Sequence, residues 1–173
     1  MEDIRQLEEK IGYRFNDISI LKTAVTHSSY IKEHDRSTKS NERLEFLGDA
    51  FFDAIIGEKL FRMFPQKEEG YLSMTRATLV CEKSLAEKAK QLGLGEYILL
   101  GNGEEHNGGR NRESILADTM EAIMGAVYIH RSAVDCKLHH ECLVVVRPQF
   151  LQHIVAYVRS SIYLQLFLKE RAT

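Results

Sequence analysis

Apolar residues along this chain recur mostly at spacings of three and four, the period of a helix with one buried stripe. In "DIRQLEEKIG", Ile4, Leu7 and Ile11 share a stripe between Asp3, a capping residue type, and Gly12. "NDISILKTAVTHSSYI" predicts one second helix opening at Asn16 or Asp17, and "KEHDRSTKS" a polar loop. A long helix is predicted from about Asn41 to Phe64, stopped by Pro65, with Leu44, Leu47, Phe51, Ala54 and Ile55 facing the core. "QKEEGYLSMTRATLVCEKSLAEKAKQLG" predicts one or two helices ending at Gly93. "LGLGEYILLGNGEEHNGGRN" predicts a long loop with a short apolar piece from Tyr97 to Leu100. "RESILADTMEAIMGAVYIH" predicts a further amphipathic helix, apolar through Ile115, Leu116, Met120 and Ile123. No alternation is long enough for a sheet, so the predicted class is all-α. Residues 131–173 change character, mixing β-branched runs with a helical pattern near the end, and yield no clear reading.

Composition narrows this little. The 173 residues suit one domain with a substantial core. A net charge of −2 gives no global basic field. That counts mildly against a nucleic-acid partner unless metal ions or a local patch supply positive charge. Cys81, Cys136 and Cys142 are odd in number and lack a CxxC pair. They argue against a disulfide framework and fit a reducing cytosol. His139 and His140, between Cys136 and Cys142, match no standard zinc spacing. No signal segment or membrane-length apolar run is present, which predicts a cytoplasmic protein without a membrane partner.

The acids change the picture more. Glu42, Glu45 and Asp49 fall within roughly 60° of one another on a helix. Asp118 and Glu121 repeat the device on the last predicted helix. Should the two helices pack together, four or five carboxylates converge, and a divalent cation would offset their repulsion. Oxygen-only ligands suit Mg2+ or Mn2+ rather than Zn2+. Gly48, Ala50, Ala117 and Gly125 are small enough to permit a close approach. Spacing alone leaves a solvated acidic face equally open, and Glu42 near a helix start also complements the helix dipole.

Four ordered blocks carry a resemblance: "THSSY" at 26–30, "NERLEFLGDA" at 41–50, "EEGYLSMTRATLV" at 68–80 and "RESILADTMEAIMGAVY" at 112–128. Together they resemble the ribonuclease III family's endonuclease domain, from about Ile4 to Ile129. The resemblance implies an all-helical homodimer that cuts double-stranded RNA with Mg2+ (Mn2+ as a substitute). It implies 5′-phosphate and 3′-hydroxyl ends, short 3′ overhangs and a role in rRNA or mRNA processing. It further implies that Glu45, Asp49, Asp118 and Glu121 hold metal, Asp49 and Glu121 being the active-site pair. Glu42 would lie beside the RNA backbone, and Glu69 and Glu104 near the catalytic valley, Glu69 at the dimer interface. Phe46 would be an apolar knob entering the partner subunit; spacing alone equally allows it to be intrachain core. Arg76, Arg110 and Arg112 are candidate phosphate contacts or plain surface residues. His27, Ser28 and Ser29 suit the shallow minor groove of RNA, or merely end a helix. Asp53 reads as solvated.

The expected organisation is a nuclease domain over residues 1–130 and a divergent segment over 131–173. At the boundary the chain has "HRSA", from His130, where the family commonly has an Asp-Gly-Gly-like turn, and nothing in the segment resembles a double-stranded-RNA-binding domain. The chain alone is therefore expected to bind duplex weakly, with cleavage fading toward physiological salt and restored by fusing such a domain. The competing reading is a catalytically idle RNA-binding protein on the same fold.

Overall fold

The structure is a computed structural model that describes residues 3–34 and 38–135, the side chains of 132–135 excepted; the expectations for 136–173 lie outside the described residues. Among the described residues the architecture is all-α, with one isolated parallel bridge, Thr26 to Leu99, in place of any sheet.

Helix α1 spans Ile4–Ile11: Asp3 accepts the Arg5 N–H at 3.0 Å, and Gly12 closes the helix at φ 64°. The single helix expected after Asn16 is two, α2 (Ile18–Ala24) and α3 (Ser28–Glu33). The break is built from side chains that compete with helical bonding. Thr26 Oγ1 donates back to the Lys22 carbonyl at 2.6 Å. Leu99 pairs with the backbone on both sides of it, donating to Val25 and accepting from His27. His27 is extended, and its Nδ1 accepts the Ser29 N–H, capping α3.

Helix α4 (Glu42–Met63) stops just short of Pro65, as its sequence predicts. Its buried line differs from the expected stripe. Leu44, Gly48, Phe52, Ile56 and Leu60 are buried; Leu47, Phe51 and Ile55 are half-buried and Ala54 is exposed. The line runs through a residue with no side chain because that is where the neighbouring helix comes closest. Phe51 instead lies against the Tyr128 ring, centroids 4.5 Å apart.

Helices α5 (Glu69–Val80) and α6 (Glu82–Gln91) meet at an extended Cys81, and Gly93 at φ 65° ends that arm. The glycine-rich stretch holds two 3-10 turns, Leu94–Glu96 and Gly109–Asn111, and a short helix α7 (Asn102–His106). Helix α8 (Glu113–Asp135) is the axis of the domain and packs most extensively on α4, then on α6. From Ile115 to Val127 every residue of α8 is buried except Asp118 and Glu121. Over this stretch the central helix of the core opens to the surface only through its two acids. Beyond them His130 is buried, bonded through Nδ1 to Tyr13 Oη at 2.6 Å and accepting the Asn16 N–H on Nε2 at 3.0 Å. It ties the end of α8 to the α1–α2 connection.

Candidate metal centre

Gly48 on α4 and Gly125 on α8 make the crossing that builds the site. A methyl group on Gly48 would run into the Glu121 carbonyl, with that residue's carbonyl carbon at 2.6 Å and the Gly125 nitrogen at 2.9 Å. A methyl group on Gly125 would meet the Leu44 carbonyl, with the Gly48 nitrogen at 3.1 Å. The two backbones touch, so side chains flanking the crossing on both helices converge.

Glu45, Asp118 and Glu121 each place a carboxylate oxygen within 4.8 Å of the others'. All three are half-buried. Burial, then the charges of Asp49, Asp118, Glu45 and Asp53, pushes the Glu121 carboxyl up to about 8. Glu45 is also raised, by burial and then by Asp118, Glu42 and Asp49. Asp118 is raised by burial and by the charge of Glu82, with His27 opposing. A group of acids that resists its own ionisation fits a cation. The donor set, all carboxylate oxygen with no His or Cys joining it among the described residues, fits a hard divalent ion and not Zn2+.

The remaining candidates stand as follows. Asp49 is exposed, one turn beyond Glu45, and lies outside the tight group of three while still acting on Glu121. Glu42 is exposed at the first position of α4, where its carboxylate accepts the Ser40 hydroxyl at 3.0 Å. Asp53, expected to be solvated, is half-buried, with Oδ2 3.8 Å from Arg76 Nε. Arg112 pairs with Glu104 at 2.7 Å. Arg110 is built into its own loop: it donates to the Gly95 and Ile98 carbonyls at 2.8 and 3.0 Å and pairs with Glu105. Ser28 opens α3, and Ser29 Oγ accepts the Gly101 N–H at 2.9 Å, a structural use. Glu69 opens α5, exposed, and accepts from Ser73. Phe46 is 80% exposed, so it is not part of this chain's own core.

Sequence reading missed Glu82 and Asp53 as charges acting on the site. Glu82 opens α6, and only the packing of α6 on α8 brings it toward Asp118. No spacing in the sequence signals that.

Comparison with known proteins agrees with the fold. A family described as Ribonuclease-III-like matches residues 17–143. Ribonuclease 3 of Haemophilus influenzae is 54% identical over 127 residues, covering 73% of this chain and 53% of that protein. Ribonuclease 3 of Oleidesulfovibrio alaskensis is 49% identical over 124 residues, covering 72% and 54%. The chain thus spans about half the length of the curated relatives it matches. The nuclease domain of ribonuclease III from Campylobacter jejuni, which has a structurally flexible region involved in dimer formation, superposes with a TM-score of 0.72 at 40% identity, covering 90% of this chain and 95% of that one. An all-helical domain with this acid group at its central crossing, matched over most of its length, belongs to the ribonuclease III family.

Proposed function

We propose that this chain is a Mg2+-dependent endonuclease domain that hydrolyses double-stranded RNA, leaving 5′-phosphate and 3′-hydroxyl ends, in cytoplasmic rRNA or mRNA processing. The observation that carries the reading is the oxygen-only group Glu45, Asp118 and Glu121 at the α4–α8 crossing. These three, with Asp49, would hold the ion. Bound there, Mg2+ supplies an activated water, a neutralised phosphate and a stabilised leaving oxygen.

The chain's own residues do the rest. The acids hold rather than attack, so no Ser or Cys nucleophile is needed. Glu45 and Glu121 are fixed by two helices in backbone contact, which spares the site any reorganisation on binding. Asp49 is exposed and would meet the incoming duplex. Glu42 lies one turn before Glu45, beside the path of the RNA backbone. His27, whose charge is felt at Asp118, places a short polar segment next to the acids for the minor groove. Arg76 lies 3.8 Å from Asp53 and Arg112 pairs with Glu104 at 2.7 Å; both guanidinium groups stay partly exposed and would be available to phosphate.

The test is incubation of the purified chain with long duplex RNA at low salt. Cleavage into short duplexes that needs Mg2+ and stops on chelation is expected. Duplex binding with no cleavage at any Mg2+ or Mn2+ concentration overturns the reading in favour of an idle RNA-binding domain.

A staggered double-strand cut needs two such clusters, and we place the second on another copy of the chain, related by a two-fold axis. Phe46 supports this. It is 80% exposed and adjacent to Glu45, an unfavourable place to leave an aromatic ring in water. Burying one such ring contributes roughly 1.5–3 kcal/mol, and symmetry doubles it. Phe46→Ser is therefore expected to weaken the dimer roughly 10²–10⁴-fold in sedimentation. A wild-type chain that stays monomeric at tens of micromolar and still makes staggered cuts rules out the shared arrangement.

A further inference from the structure

From Gly101 to Ser114, "GNGEEHNGGRNRES", the chain has no hydrophobic side chain. With no apolar side chain of its own to bury, the segment is positioned chiefly by polar contacts. At its base Arg110 grips the Gly95 and Ile98 carbonyls. Its outer part is held from α3. The Glu33 carboxylate accepts the Asn102 N–H at 2.7 Å and the Gly103 N–H at 3.5 Å, the first free amides of α7. Ser29, one turn before Glu33, accepts the Gly101 N–H at 2.9 Å and bonds His27 Nδ1 at 2.8 Å. A methyl group on Gly101 would strike Glu33 Oε1 at 2.6 Å and the Ser29 carbonyl at 2.7 Å, so the two segments are in backbone contact. The Asn102 hydrogen bond holds the Glu33 carboxyl below its ordinary range, so it carries full charge at neutral pH.

On its α3 side this strap borders the candidate site. Its α3 side begins at His27, whose charge acts on Asp118. Its α7 side carries Glu104, which fixes Arg112 immediately before α8. Most backbone amides of 101–112 are bonded within the fold, and the segment presents the side chains of Asn102, His106, Asn107, Asn111 and Arg112 to solvent, with Glu105 beside them paired to Arg110. Such a surface suits a sugar–phosphate backbone read by shape.

We propose that Glu33 is a positioning residue: by clamping α7 onto α3 it presents residues 101–112 as a preformed contact surface for duplex RNA beside the acid group. This deepens the proposed function and rests on it. Glu33 need not touch the RNA. Its work is to spare the segment the ordering cost that binding would otherwise impose.

The test uses the full chain, with Glu33→Ala and with Glu33→Gln, which keeps one oxygen acceptor. Amide exchange of Asn102 and Gly103 is measured without RNA, and steady-state cleavage of a duplex with Mg2+. In Glu33→Ala the two amides are expected to exchange about tenfold faster or more. KM is expected to rise about five- to tenfold, with kcat within about twofold. Glu33→Gln should fall between this and wild type, a graded rescue that general loosening of the fold would not give. Unchanged protection in Glu33→Ala overturns the clamp. Released amides with an unchanged or lower KM, or a loss confined to kcat, overturn the duplex surface. If wild type binds duplex without cutting it, the proposed chemistry fails, and duplex affinity replaces KM as the readout for Glu33. If it neither cuts nor binds, both readings fall.

Discussion

Glu121→Gln is expected to reduce Mg2+-dependent cleavage of duplex RNA by about a thousandfold or more while leaving duplex binding intact. The substitution keeps the size of the side chain and removes one anionic donor from the group of three, and several kcal/mol of transition-state stabilisation goes with it. The same carboxyl makes an opposite prediction for stability. Its pKa is about 8 in the metal-free fold against an ordinary 4.5, so between those values the native state holds a proton that the unfolded chain releases. The native state is then the one that binds more protons, and stability falls as pH rises from about 4.5 through about 8. Burial and neighbouring charge raise Glu45 and Asp118 in the same direction. Metal-free wild type should therefore lose melting temperature from pH 6 to pH 9, and Glu121→Gln should lose less and melt higher at pH 9. Adding Mg2+ should stabilise wild type most at high pH, where the ion no longer competes with a proton, and should act more weakly on the variant. Cleavage by wild type should rise with pH over the same window. Full activity of Glu121→Gln at low Mg2+, or a melting temperature of metal-free wild type flat from pH 6 to pH 9, would remove Glu121 from the centre of the site.

What could be read from the sequence was the part that depends on local pattern. The all-α class, the span of α4, the start of α8 and its apolar face follow from spacing and from one proline at 65. The close approach of α4 to α8 was legible because Gly48 and Gly125 are small residues beside the acids. The rest depends on partners distant in the chain. Thr26–His27 interrupts a helix because Leu99 bonds the backbone there, and no residue near Thr26 reports that. The buried line of α4 was displaced by reading side chains only, since its contact point is a glycine. Arg110 looks like a phosphate contact until its acceptors, two backbone carbonyls, are seen. Main-chain acceptors leave no trace in a residue pattern. Phe46 was ambiguous for a related reason: an aromatic beside acids can be core or interface, and only its exposure in the fold shows that the described residues do not bury it.

Gly48→Ala is expected to destabilise the fold by about 2–4 kcal/mol, although alanine is the better helix former. In an open helix the exchange would contribute about 1 kcal/mol in favour of the variant. Here the added methyl meets the Glu121 carbonyl, its carbon at 2.6 Å and the Gly125 nitrogen at 2.9 Å. All three obstructing atoms are backbone, so no side chain can swing aside. The helices must separate, opening the core along the line from Leu44 to Leu60. A loss of this size is a large fraction of the roughly 5–15 kcal/mol that holds a domain together. Gly57 gives the control on the same helix: a methyl there meets nothing closer than Arg76 Nη1 at 3.7 Å, an ordinary contact. Gly57→Ala should thus be neutral or stabilising by up to about 1 kcal/mol. The pair also separates stability from chemistry. Widening the crossing moves Glu45 on α4 away from Glu121 on α8, so Gly48→Ala should need more Mg2+ for half-maximal cleavage even at temperatures where it is fully folded. Gly57→Ala leaves the crossing alone and should keep the wild-type Mg2+ requirement. Denaturant melts and Mg2+ titrations on both variants decide the matter. Equal stabilities, or a Gly48→Ala protein with an unchanged Mg2+ requirement, would mean that the acid group does not depend on backbone contact between α4 and α8.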